Sequence, residues 1–334
     1  MTMLSEIAEQ PEVVASVVDA NQQKMERVEQ LAADCTHVVI AARGTSDNAA
    51  RYAQYVWGAQ NRLSVGLTTP SLFGPLASPP SLADALVVGI SQSGQSPDLV
   101  EVLAEAGRQG RPTLAITNDV NSPMADTAEI VIDLCAREER AIAATKTYTS
   151  QLTAVALLSL AFSGGAPGKL DVLPDAIART TGTDMIDAVS GLIDVDRCVV
   201  VGRGFHQATI YEWALKLQEL TYLLSQPFSA ADFRHGPVAV VEEGFPVLAV
   251  ATAGPTLDEM TTLVTDMQTR NAHVVTMTDS DAPGDVIISI PEVEPWLSPI
   301  VAAPALQRFA HDLTVARGID PETPRGLSKV THTR

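Results

Sequence analysis

Residues 85–96 read Ala85-Leu86-Val87-Val88-Gly89-Ile90-Ser91-Gln92-Ser93-Gly94-Gln95-Ser96, and residues 98–106 continue as a helix-like stretch. The first six form an unbroken aliphatic run, the pattern of a strand buried on both faces rather than one alternating between core and water. A buried strand, a loop of small hydroxylated residues and a helix start make a geometry that binds phosphate. Backbone N–H groups and hydroxyls point at the anion, and the helix dipole favours its charge. Gly94 permits a close backbone approach or a positive φ. A second reading stays open here, an ordinary N-capped βα turn, which serine and glycine also favour. The lysine-bearing pattern GxxxxGK[ST] is absent from the chain.

Outward from this stretch, short aliphatic runs alternate with helix-like segments. Strands are expected at 37–41, 63–68, 85–90, 113–117 and 130–134, and again at 198–201, 246–250, 273–278 and 286–290. Continuous runs in alternation with helices indicate an α/β fold whose parallel sheets are flanked by helices. Gly44 and Gly204, Gly94 and Gly254, Asp98 and Asp258, and Pro123 and Pro283 are each 160 residues apart. Four pairs at one spacing point to duplication of one α/β unit. The breaker cluster Ser163-Gly164-Gly165-Ala166-Pro167-Gly168 marks the join. The expected division is a first subdomain with its N-terminal helix over 1–165, a second over 166–315, and a tail over 316–334.

Four further segments carry candidate chemistry. Ala42-Arg43-Gly44-Thr45-Ser46 leaves the strand at 37–41 and is a second polar strand exit; ligands of open parallel sheets collect at such ends. Over 209–224, Ile210, Trp213, Ala214, Leu217, Leu220 and Leu224 make an apolar helical stripe, with Glu212, Lys216 and Glu219 together on another face. That triplet is either an exposed Glu–Lys–Glu ladder or a carboxylate with a neighbouring ammonium at a cleft. His235, in Asp232-Phe233-Arg234-His235-Gly236-Pro237, is either a solvated loop histidine or a proton-transfer group. The tail Asp320-Pro321-Glu322-Thr323-Pro324-Arg325-Gly326-Leu327-Ser328-Lys329-Val330, taken by itself, reads as irregular and disordered.

Composition narrows the classes. The 334 residues carry 22 Lys+Arg against 40 Asp+Glu, a formal net charge of −18. Such a surface repels phosphodiester backbones, which argues against a nucleic-acid partner but not against a small phosphorylated ligand. Cys35, Cys135 and Cys198 are odd in number and far apart, so neither a disulfide framework nor a zinc ribbon is expected. A cytoplasmic location is the default. The start lacks a basic, signal-peptide-like region. The longest apolar run, 152–162, is shorter than the roughly 20 residues a membrane span needs and reads as a buried helix.

Read together, Arg43-Gly44-Thr45-Ser46, Ser91-Gln92-Ser93-Gly94, Ala143-Ala144-Thr145-Lys146, Ala214-Leu215-Lys216-Leu217-Gln218-Glu219, Arg234-His235-Gly236-Pro237 and Pro324-Arg325-Gly326-Leu327-Ser328-Lys329 resemble the SIS (sugar isomerase) family. The pattern is similar to the isomerase half of glucosamine-6-phosphate synthases and closer to stand-alone SIS-type glucosamine-6-phosphate deaminases. The resemblance implies two tandem flavodoxin-like SIS subdomains, a homodimer, and neither metal nor cofactor. It implies that Ser91, Gln92, Ser93 and Ser96 hold a sugar phosphate, with Gly44, Thr45, Ser46, Ile142 and Ala143 also at the ligand. By the same resemblance Glu219 moves a proton between C1 and C2, with Lys216 beside it. His235 assists ring opening and in the family reaches the partner subunit's site. Lys329 forms an imine with the keto sugar, on a tail closing over the active site.

Two departures bear on activity. Synthases carry a cysteine where Arg43 stands, whereas deaminase-like members more often carry arginine. A further difference, Gln95-Ser96 in place of the commoner Glu-Thr, is mild and alters no expectation. The chain also begins Met1-Thr2-Met3 and enters the isomerase-like part directly, without the synthase's glutaminase domain. The expected reaction is therefore conversion of glucosamine 6-phosphate to fructose 6-phosphate and ammonia. A deglycase of fructosyl-amine 6-phosphates, another phosphosugar isomerase and a non-catalytic sugar-phosphate sensor are the alternatives.

Overall fold

The structure is a computed structural model that describes residues 2–183 and 185–329. The chain divides into two compact units. The first comprises Glu12–Glu139, Lys146–Asp171 and the segment from Ser328. The second comprises the N-terminal residues through Pro11, Arg140–Thr145 and Val172–Leu327.

Helices α1 (Met3–Ala8), α2 (Gln10–Asn21) and α3 (Met25–Ala32) precede the first sheet. That sheet contains β1 (His37–Ala41), β2 (Ser64–Leu67), β3 (Ala85–Ser91), β4 (Thr113–Thr117) and β5 (Ile130–Asp133), with α4 (Thr45–Asn61), α5 (Pro97–Arg108), α6 (Pro123–Thr127) and α7 (Lys146–Phe162) around it. Its order is β2-β1-β3-β4-β5 and every pairing is parallel. Every residue of the central β3 is buried, as its unbroken aliphatic run requires. Leu99, Val102, Leu103 and Ala106 of α5 recur every three or four residues and join Val87 of β3 and Ala115 of β4 in one core. Helix α7 is buried along nearly its whole length, so the apolar run at 152–162 is a core helix. It packs against α4, where Trp57 Nε1 donates to the Val155 carbonyl at 3.0 Å.

The second sheet contains β6 (Arg197–Gly202), β7 (Leu224–Ser229), β8 (Pro246–Val250), β9 (His273–Thr278) and β10 (Val286–Ser289). Around it lie α8 (Leu173–Thr181), α9 (Ile186–Ser190), α10 (Gln207–Thr221), α11 (Ala230–Arg234), α12 (Leu257–Thr269) and α13 (Ser298–Ala316). Its parallel order, β7-β6-β8-β9-β10, is the order of the first sheet with β6 in place of β1 and β8 in place of β3. The 160-residue offset therefore links equivalent strand exits, and Gly44, Gly94, Gly204 and Gly254 all have positive φ.

Three readings need correction. Strand β7 has no counterpart among the expected strands. It is an edge strand pairing only with β6, so it tolerates Pro227 and needs no aliphatic run. The helix expected over 209–224 ends at Thr221, where Tyr222 turns left-handed at φ 60°. Leu224 consequently leaves the apolar stripe, opens β7 and is 74% exposed. The tail is held as far as Lys329. The Arg325 guanidinium lies 4.3 Å from the Tyr222 ring centroid and the Arg325 N–H donates to Tyr222 Oη at 2.7 Å, while Glu322 Oε1 accepts from the Met3 N–H at 2.8 Å. Val330 lies outside the described residues. None of the described helices is long and apolar enough to cross a membrane.

Candidate active site

In the first unit the strand order reverses between β1 and β3, and the loops leaving those strands flank the crevice such a reversal creates. One is Arg43-Gly44-Thr45-Ser46. Gly44 caps α4 at φ 54°, Thr45 is half-buried, and the buried Ser46 turns inward, its Oγ accepting from Gln151 Nε2 at 2.9 Å. The other is Ser91–Ser96. Ser91 Oγ accepts the Gly94 N–H at 3.1 Å and Ser93 Oγ accepts the Gln95 N–H at 3.3 Å. Gly94, at φ 62°, admits no other residue comfortably: a Cβ there would lie 2.0 Å from Ser122 Oγ. Ser96 occupies the N-cap of α5 but makes no side-chain cap, so its hydroxyl is not committed to the helix. Arg43 pairs with the buried Asp98 in the first turn of α5, at 2.9 Å.

The Gln92 side chain is engaged by Glu139, its Nε2 donating to Oε2 at 3.0 Å. The same oxygen takes Lys329 Nζ at 2.7 Å. Lys329 of the tail and Gln92 of the Ser91–Ser96 loop thus meet on one carboxylate within this unit. At the equivalent strand exits of the second sheet, His206 follows β6 and reaches Thr252 beyond β8. It is buried, with Nδ1 at 3.0 Å from Thr209 Oγ1 and Nε2 at 2.8 Å from Thr252 Oγ1. Burial pushes its pKa down to about 3, which keeps the imidazole neutral.

In the second unit, α10 does not carry an exposed ladder. Lys216 and Glu212 side chains are 1% and 0% exposed and lie 3.3 Å apart; Glu219, 23% exposed, pairs with the same ammonium. Burial alone would lower the Lys216 pKa, but the Glu212 and Glu219 carboxylates outweigh it and the net shift is upward. Lys216 is therefore a fixed cation at neutral pH rather than a base. Glu219 presents a partly open carboxylate beside it. His235 ends α11, exposed, ahead of Gly236 at φ 142°. Ile142 is half-buried and Ala143 buried in the segment before α7.

The SIS domain profile matches residues 30–161 and 191–283, together more than half of the chain. The chain belongs to the SIS domain family. Among curated SIS relatives, it is 30% identical to the glutamine–fructose-6-phosphate aminotransferase (isomerizing) of Thermococcus kodakarensis, over 98% of this chain and 57% of that protein. The enzyme of the same name from Methanothermobacter thermautotrophicus is 32% identical over 98% and 56%. The chain thus spans little more than half the length of these relatives. Among solved SIS structures, a chain from Silicibacter pomeroyi DSS-3, described as a candidate phosphosugar isomerase, superposes with TM-score 0.89 at 30% identity, covering 96% of this chain and 99% of that one. Glucosamine-6-phosphate deaminase of Thermotoga maritima shares the SIS fold, with TM-score 0.79 at 20% identity and full coverage of both chains.

Glu139 in the first unit, and Glu6 and Gln307 in the second, were not singled out from the sequence. Glu139 sits in the charged run Arg137-Glu138-Glu139-Arg140, which resembles a solvated surface; only its place just before Ala143-Ala144-Thr145-Lys146 could have drawn attention. Glu6 of α1 is completely buried. Its Oε1 accepts the Arg140 N–H at 2.5 Å and its Oε2 accepts from Thr145 Oγ1 at 3.2 Å, bracketing the segment that carries Ile142 and Ala143. Gln307 of α13 donates to the Thr145 carbonyl at 3.0 Å and supports the same segment.

Proposed function

We propose that this SIS protein is an amino-sugar-phosphate deaminase/isomerase, converting glucosamine 6-phosphate and water to fructose 6-phosphate and ammonia, as a cytoplasmic homodimer. Sugar-phosphate isomerase chemistry is the coarser reading, supported by membership of the family. The single observation that carries the finer one is the α10 triplet, a half-open Glu219 carboxylate backed by a buried ammonium that stays charged. Binding a phosphate needs no such group; moving a proton next to a carbonyl does.

The roles follow from the chemistry of each group. Ser91, Gln92, Ser93 and Ser96, with Thr45, bind the phosphate through hydroxyls and loop N–H groups, and the start of α5 favours the anion. His235 relays the proton that opens the pyranose ring. Glu219 takes the proton from C2 of the open-chain sugar, leaving an enolamine; its partly exposed carboxyl exchanges that proton with solvent and delivers one to C1 to give the C2 ketimine. Charge that develops on O1 is stabilised by the Lys216 ammonium. The Lys329 amine adds at C2 and displaces ammonia, and water then hydrolyses the lysine imine to release the keto sugar.

The test is ammonia release from glucosamine 6-phosphate by purified protein. Ammonia and fructose 6-phosphate are expected in equal amounts. No ammonia with sugar-phosphate binding intact would make the protein a sensor. Amine release only from fructosyl-amine 6-phosphates would make it a deglycase.

A further inference from the structure

Glu139 gathers donors from three separate parts of the first unit. Its Oε2 accepts from Lys329 Nζ at 2.7 Å, Thr147 Oγ1 at 2.8 Å and Gln92 Nε2 at 3.0 Å, while Oε1 accepts the Thr147 N–H at 3.0 Å. The side chain has no solvent exposure. Burying a carboxylate is costly unless its lone pairs are met by well-placed donors. Here the first turn of α7 supplies two of them, and the positive end of that helix favours the charge. Glu139 is thus an anion fixed by the helix framework. The tail lysine that reaches it belongs to neither helix nor strand. A charge-assisted bond to a buried anion is stronger and shorter than a neutral one, so it can hold such a segment against its conformational entropy.

We propose that Glu139 is a positioning residue that seats the tail by its Lys329 amine, using the same oxygen that holds Gln92 of the phosphate loop. The inference rests on the proposed function for the roles of Lys329 and Gln92, but its geometry does not. The seat sets where the imine-forming amine waits and ties it to the loop that binds the sugar's phosphate. Glu139 does not itself touch the reacting atoms.

The experiment uses Glu139→Gln, which keeps the volume and an acceptor oxygen but removes the charge. Trypsin cleavage after Lys329, read by intact mass, should be faster than in the wild type by about tenfold or more. Borohydride trapping of fructose 6-phosphate on Lys329 should fall by a similar factor at saturating sugar. The dissociation constant of the sugar phosphate should change by less than about threefold, because the serine loop remains. A merely structural role would shift binding and trapping together. If Glu139→Gln does not fold, Lys329→Met removes the same contact from the exposed side, and trypsin cleavage after Arg325 should accelerate comparably. Unchanged proteolysis in both variants would overturn the proposal and leave the deaminase reading standing. Faster proteolysis in a protein that releases no ammonia would support the seat and end the deaminase reading.

Discussion

Replacing Lys216 with methionine tests the buried triplet most severely. The substitution keeps most of the stem's volume and deletes one charge between two carboxylates. Lys216 Nζ lies 3.3 Å from Glu212 Oε1, and neither side chain is more than 1% exposed. At an effective dielectric of about 20, that separation corresponds to about 5 kcal/mol of attraction. Much of this opposes the desolvation of the two ions, so the net worth of the pair is small, but removing one partner leaves the other's desolvation uncovered. The expected loss of stability is about 3–5 kcal/mol. Adding Glu212→Gln to Lys216→Met should recover most of it, because the desolvated charge is gone. Urea unfolding followed by tryptophan fluorescence is a suitable assay, since Trp213 lies on the same helix and stacks edge-on against Phe309 at 5.1 Å. A single-variant loss below about 1 kcal/mol, typical of solvated pairs, would refute the reasoning. So would a double variant no more stable than the single one.

Two further outcomes are expected. Ser93→Ala should raise KM for the sugar phosphate with little change in kcat, since a phosphate ligand of the kind proposed for Ser93 binds ground and transition states alike; an unaltered KM would count against the proposed phosphate loop. His206 stays neutral in the folded protein, so acid favours the unfolded chain, in which the imidazole protonates below about 6.5. Its stabilisation is complete above that pH and is lost progressively as pH falls toward 3. Between pH 6.5 and 5 about 1.6 kcal/mol of it is lost, and His206→Asn should flatten the slope of stability against pH in that window. Equal slopes for variant and wild type would contradict this.

What the chain discloses in one dimension is its buried periodicity. Strand β3 and helix α5 were legible because an unbroken aliphatic run and a three-four repeat each have one physical meaning once both faces of a sheet are covered. Strand β7 was not, because an edge strand with Pro227 at its centre owes its pairing to β6 rather than to its own residues. The Ser91–Ser96 loop was legible as a polar strand exit through residue type, and its phosphate role is part of the proposal. The burial of Glu212 and Lys216 could not be seen, since an i, i+4 Glu–Lys pair has the same spacing on a wet surface and in a core. Glu139 and Glu6 were illegible for a related reason: each is defined by backbone and side-chain donors distant in sequence, 190 residues away for Lys329 and 134 for Arg140.

The account turns on proton transfer between C1 and C2 by Glu219. Incubation with glucosamine 6-phosphate in D2O, with products analysed by NMR, measures that step directly. Wild-type protein should place deuterium at C1 of fructose 6-phosphate and at C2 of recovered substrate, whereas Glu219→Gln should place none while still binding the sugar phosphate. Undiminished deuterium incorporation by Glu219→Gln, or none by wild-type protein with sugar bound, would contradict it.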